Sequence, residues 1–272
     1  MQITNGFLPA QFRGTELRSE GDPVLNLNPT SPRAAGIQDN NLAMLEKLNQ
    51  LQRSKYPHDS VLEARIQNYE LAARMQLAAP EILDLSKESG ETKKMYGVDQ
   101  GHDEMSRYGT RCLMARRLVE AGVRFVSLEY GTWDAHFNIA PSLAGQVPVF
   151  DHALAALVTD LDDRGLLETT LVTVTTEFGR TPRINKSAGR DHWARVFSVM
   201  LAGAGIRRGH VHGSSDLTAS SPDTGALSPR DLLTTVYHQI GIVAEKELMA
   251  PGARPIEIVK GGRVVKELLE AS

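Results

Sequence analysis

Two short β-branched runs with a helical stripe between them constrain this chain more than any other feature. Residues 124–130 read RFVSLEY and residues 171–175 read LVTVT; residues 149–164 between them carry Phe150, Leu154, Leu157 and Leu161 at helical spacing. Strand, helix and strand in that order imply parallel pairing through a right-handed crossover. A further apolar run at 197–201 and a final helical stretch at 232–240 extend the alternation. The expected fold class is therefore α/β, a mostly parallel sheet with helices on both faces. The part before it reads differently. Leu42, Leu45, Leu48 and Leu51 share one helical face, and Leu62, Ile66, Tyr69 and Ala73 share another, with Pro80 ending that second helix. Residues 81–102 read as an exposed connection, and a helix over 103–120 is stopped by Gly122. Residues 1–37 are rich in Gly, Pro, Asn and Thr and read as an extended, turn-rich segment. The expected organisation is one α/β domain over 38–272, helical to 122 and alternating from 123 onward.

Chemistry gathers where the runs end. After the first come Asp134 and His136; after the second comes Glu177, and the loop that follows closes on Asp191 and His192. In open α/β sheets, ligands bind beyond the carboxyl ends of the strands. Carboxylates and neutral imidazoles are the usual oxygen and nitrogen ligands of divalent ions, so Asp134, His136, Glu177, Asp191 and His192 are the candidate metal ligands. The planar forks of Arg180 and Arg190 suit the oxygens of a phosphate or sulfate, and Gly179 permits a tight turn beside Arg180. Trp133 and Trp193 adjoin proposed ligands, as pocket walls or as core residues. His210 and His212 read as loop histidines.

Bulk properties exclude several classes. A formal net charge of −3 over 272 residues gives no basic field for nucleic acid or an anionic membrane. No run approaches the roughly 20 apolar residues that cross a bilayer, and MQITNGFLPAQFRG has neither the basic start nor the apolar core of an export signal. The one cysteine, Cys112, forbids an intrachain disulfide and reads as a small core residue. AGAGIRRG lacks the Lys-Ser/Thr ending of a phosphate-binding loop, and no G-x-S-x-G elbow is present.

GTWDAHFN, TTEFGRTPRINKSAGRDHW, FSVMLAGAGIRRGHVHGSSD, ARIQNYELAARMQ and CLMARRLVEAGVRFV resemble the bacterial domain-of-unknown-function family 1501. That family is labelled sulfatase-like and placed in the alkaline phosphatase superfamily, and the resemblance covers nearly the whole chain. It implies a two-metal hydrolase of phosphate or sulfate esters, with Asp134 and His136, Glu177, and His192 matching successive ligand groups. Zinc, manganese or calcium is the implied cofactor and a small anionic ester the implied partner; the oligomeric state stays open. Two positions depart from the superfamily pattern: Asn138 stands four residues after Asp134, where a ligand is usual, and Phe178 stands where a His follows the acid. The resemblance also implies a nucleophile-bearing half and an export signal ahead of the matched part. The expectation is a fragment, with an exported full-length protein, no nucleophile in this chain, and neither Thr4 nor Thr15 in that role. A non-catalytic binding or scaffold protein that retains the fold is the alternative.

Overall fold

The structure, a computed structural model, describes residues 14–19, 21, 36–99, 101, 103–250 and 252–270. The turn-rich segment expected over 1–37 lies mostly outside them. Two compact units emerge, one of residues 1–88 and 250–252, the other of residues 89–249 and 253–272.

In the first unit, α1 (Ile37–Lys55) and α2 (Ser60–Ile82) are joined at a turn after Tyr56. Asp59 accepts hydrogen bonds from the amides of Val61 and Leu62 and so satisfies donors that the start of α2 leaves open. Arg53 donates to both carboxylate oxygens of Glu63 across the turn. Ala64 and Ile66 are buried, whereas Leu45, Leu48 and Leu51 of the shared face on α1 remain exposed. Pro80 does not end α2, which continues to Ile82; a difference of two residues is within the ordinary fraying of a helix end.

Three helices, α3 to α5, make the core of the second unit. Ser89 accepts from the amide of Thr92 and starts α3 (Gly90–Met95) inside the stretch expected to be an exposed connection. Tyr96, at its end, is fully buried. Asp103 caps α4 (Glu104–Glu120) by accepting from the amide of Ser106. Tyr108, Cys112, Leu113 and Ala115 turn inward against α5 (Ile139–Asp163), which contributes Ala153, Leu157 and Leu161. Helix α5 begins ten residues before the apolar stripe at Val149, because Pro148 is accommodated within the helix. The end of α3 lies so close to α4 that any side chain at Gly109 meets the carbonyl of Tyr96.

A buried ion cluster joins these helices. The Nε of Arg116 on α4 lies 2.8 Å from Oδ2 of Asp160 on α5. Tyr96 donates its hydroxyl to the same oxygen at 3.0 Å, and Arg164 donates Nε to Oδ1 at 2.7 Å. Arg116 and Asp160 are almost inaccessible to solvent, so the network is worth most when complete.

The strands follow a different plan from the expected one. Strands β1 (Val172–Val174), β2 (Gly179–Arg180), β3 (His192–Trp193), β4 (Met200–Ala202), β5 (Ser214–Ser215), β6 (Pro222–Thr224), β7 (Glu247–Ala250) and β8 (Arg254–Glu257) form separate two-stranded sheets, β1 with β4, β2 with β3, β5 with β6 and β7 with β8. The first three are antiparallel, and 42% of the described residues are helical. The expectation of a mostly parallel sheet with helices on both faces is thus overturned. Residues 124–130 show why. Val126, Leu128 and Tyr130 alternate with exposed Phe125, Ser127 and Glu129, so the segment is extended and apolar on one face only. An inner strand of a parallel sheet needs both faces apolar. Tyr130 instead stacks on Tyr108 of α4 and Phe150 of α5, with ring centroids 4.2 and 6.1 Å apart. Between β1 and β4 the chain supplies no crossover helix, only the polar loop that carries β2 and β3, so the run at 197–201 returns antiparallel, Thr173 opposite Leu201.

Helix α6 (Pro229–Gln239) opens with a capping box between Ser228 and Asp231 and Pro229 at the first turn, which sets its start ahead of the expected 232. Thr235 on its buried side accepts from the amide of Val265 at 3.0 Å and anchors the C-terminal segment.

Asp160→Ala removes the buried carboxylate that faces Arg116 Nε, while Glu120 stays paired with Nη1 of the same guanidinium. The variant is expected to lose about 3–5 kcal/mol of unfolding free energy, read as a fall in urea midpoint at unchanged slope; a loss below about 1 kcal/mol would show that the cluster does not hold the helices.

Candidate metal centre

The site is assembled by two loops and one short strand pair in the second unit. Residues 131–138 connect the extended segment to α5, and residues 181–191 connect β2 to β3. Arg180 and His192 face each other directly across that pairing, so their side chains start from the same face of the ribbon.

Asn185 locks the two loops together. Its Oδ1 accepts from the amides of Ser187 and Gly189, and its Nδ2 donates to the carbonyl of His136 and to Asp191, all at 2.9–3.0 Å. The backbone continues the seam: Asn138 donates to the Ser187 carbonyl, Ile139 to Ala188, and Arg190 to Ala135. At the centre sits Gly189, where any Cβ collides with the backbone of His136. A glycine is required here by close approach rather than by a turn. Gly179 is similar, since a Cβ there meets the Val196 carbonyl; it serves packing, not the turn expected of it.

This seam brings Asp134, His136 and His192 together. One ligand atom from each lies within 4.8 Å of the others. Oδ1 of Asp134 is the hub: His192 Nε2 is 2.9 Å away, His136 Nδ1 is 3.3 Å away, and Arg180 Nη2 donates to it at 2.5 Å. The His136 and His192 ring centroids are 4.8 Å apart, and those of Phe178 and His192 are 4.3 Å apart. The carboxylate and His192 side chains are 61% and 51% exposed, so the cluster opens to solvent. The Arg180 guanidinium first, and the His192 imidazole second, hold the Asp134 carboxyl down at about 2.

The other expected site residues lie elsewhere. Glu177 is exposed at the end of the run after β1 and outside the Asp–His–His group. Asp191 accepts from Asn185, and its carbonyl takes the amide of Thr181. Arg190 directs Nη1 to the carbonyls of Thr181 and Pro182, at 2.5 and 2.7 Å, and so closes the base of the loop. Trp133 packs edge-on against Tyr130 and Phe150, each 5.9 Å away, and donates Nε1 to the Tyr130 carbonyl. Trp193 donates to the carbonyl of Ser220. Asn185 and Gly189 have no place among the expected site residues, and Phe178 enters the sequence pattern only as the residue that stands where a ligand His is usual. The N-x-S-x-G spacing of residues 185–189 is the signal for the first two, an Asn turn closing on a glycine. His210 and His212 have ring centroids 5.8 Å apart, but no third ligand residue joins them among the described residues.

The donor set fits a cation. In a tetrahedral site with metal–nitrogen distances near 2.0–2.1 Å, ligand atoms lie about 3.4 Å apart, close to the observed separation of His136 from Asp134. Two imidazoles and one carboxylate would leave a fourth tetrahedral position open.

An α-helical frame with small antiparallel ribbons, bearing a solvent-facing cluster of one carboxylate and two imidazoles, is the class defined so far. The chain belongs to the family described as "Protein of unknown function (DUF1501)", which it matches over residues 1–269. Neither a curated protein nor a solved structure matches it. No helix among the described residues is long and apolar enough to cross a membrane.

Because the folded carboxyl of Asp134 is depressed, whatever its bonds add to stability is present above the unfolded carboxyl value of about 3.9 and lost as pH falls towards the folded one. In an NMR titration the Asp134 side chain is expected to titrate near pH 2, and in Arg180→Ala the midpoint moves up towards about 3.9. An unshifted midpoint in that variant would remove Arg180 as the principal cause.

Proposed function

We propose that Asp134, His136 and His192 hold a divalent cation, and that the protein is a metal-dependent hydrolase-type domain for phosphate or sulfate esters. The observation that carries this reading is the convergence of both imidazoles on Oδ1 of Asp134 from two loops far apart in the sequence. Among zinc, manganese and calcium, the nitrogen-rich set favours zinc, since calcium takes oxygen ligands in larger number. A bound cation would supply Lewis-acid polarisation of the ester and a more acidic water at the open position. Within the chain, His136 and His192 orient the ligand set, Phe178 fixes the His192 ring, and Arg180 stands at the rim as the donor for ester oxygens. Arg190 supports the reading indirectly by holding the loop that carries His192.

A binding role without catalysis is the second reading. The openness of the cluster favours it, since hydrolytic sites strengthen their electrostatics by excluding water.

Isothermal titration with zinc and with manganese is expected to show one site per chain. Asp134→Ala and His192→Ala should each weaken binding about 10–100-fold or more, by analogy with the loss of supporting groups around metals. If neither substitution changes the affinity, the metal assignment is wrong. Zinc-dependent turnover of chromogenic phosphate or sulfate esters, lost in Asp134→Ala, supports the hydrolase reading; metal binding with no turnover favours the binding role.

A further inference from the structure

The two imidazoles do not approach Asp134 evenly. Both point at Oδ1, and Arg180 Nη2 already occupies that same oxygen at 2.5 Å. A cation held by the two ring nitrogens and this oxygen therefore competes for the atom that the guanidinium now holds. A divalent ion and a guanidinium repel, and both are attracted to one carboxylate. Arg180 has a second tether, Nη1 donating to the Arg190 carbonyl at 3.3 Å, and its guanidinium carbon lies 5.9 Å from the Phe178 ring centroid. When Nη2 leaves Asp134, these contacts keep the fork beside the cluster with one pair of donors free.

Resting on the metal reading above, we infer that Arg180 is the site's resident counter-cation. A divalent ion displaces it from Asp134, and the displaced fork is thereby presented to a tetrahedral oxyanion. Metal and oxyanion then bind cooperatively: an anion that captures Arg180 raises the affinity for the metal, and the metal raises the affinity for the anion by the same factor. In the absence of both, the guanidinium keeps the carboxylate paired and the ribbon closed. The arrangement also sets the arginine directly opposite a ligand histidine on β2 and β3, so both side chains start beside the same carboxylate.

The test is calorimetric titration of zinc into the wild type, Arg180→Ala and Arg180→Lys, in chloride buffer with and without sulfate, with urea midpoints confirming that each variant is folded. Zinc is expected to bind Arg180→Ala on the order of tenfold more tightly than the wild type, as follows if Asp134 is free in about one molecule in ten. Sulfate should tighten zinc binding in the wild type and leave Arg180→Ala unchanged. Equal or weaker zinc binding by Arg180→Ala overturns the counter-cation role while leaving the metal site standing. No zinc binding by either protein overturns the metal site itself, and with it this inference.

Discussion

Asp160 is the fixed point of the second unit. One carboxylate, almost inaccessible to water, accepts from Tyr96 at the end of α3 and from Arg164 one turn on along α5, and lies against Arg116 of α4. A charge in so dry a place is tolerable only with its partners in position, which makes the relative setting of the three helices stiff. That setting decides where the site can be. Helix α5 begins at Ile139, and its first amide reaches the Ala188 carbonyl in the loop before His192. The extended segment that delivers Asp134 is pinned to the same helices by the stacking of Tyr130 on Tyr108 and Phe150.

Asp134 repeats the chemistry of Asp160 in the opposite environment. Each carboxylate draws an arginine and further donors to its oxygens. The buried one has no exit for its partners and no room for an ion, and its role is to hold helices together. The exposed one faces water, so its partners can exchange and each bond contributes little to stability. The same three-way convergence is thus structural in one case and available for chemistry in the other. Solvent access, rather than the identity of the residues, separates them.

The sequence showed much of the helical part and the location of the site, and it misled about the sheet. The 3.6-residue spacing in 103–120 and 149–164 is carried by buried residues, and those helices appear. Asp134, His136 and His192 stood out because acids and histidines clustered after apolar runs, and the chain does bring them together. Parallel pairing was inferred from element order alone. Order does not report whether both faces of a strand can be covered, and the polar alternation in 124–130 was the sign that they cannot. Glu177 was grouped with the others by its place after a run, but chain proximity to Phe178 and Arg180 does not bring its carboxylate to the cluster. The work of Asn185 and Gly189 is backbone geometry, which carries no charge or periodicity in the sequence.

The two arginines of the loop show how far residue type alone can lead. Arg180 and Arg190 are equally suited on paper to grip an anion. Arg190 spends Nη1 on two carbonyls of the loop it belongs to, and moving it would open the turn that carries His192. Arg180 has its shorter bond to the exposed carboxylate of Asp134 and a longer one to the Arg190 carbonyl. A guanidinium bonded to backbone carbonyls is part of the scaffold, whereas one bonded to an exposed carboxylate competes with water for its bond. The chemistry of the centre therefore turns on which oxygen each arginine has been given, a distinction that the folded chain makes and the spacing of the residues does not.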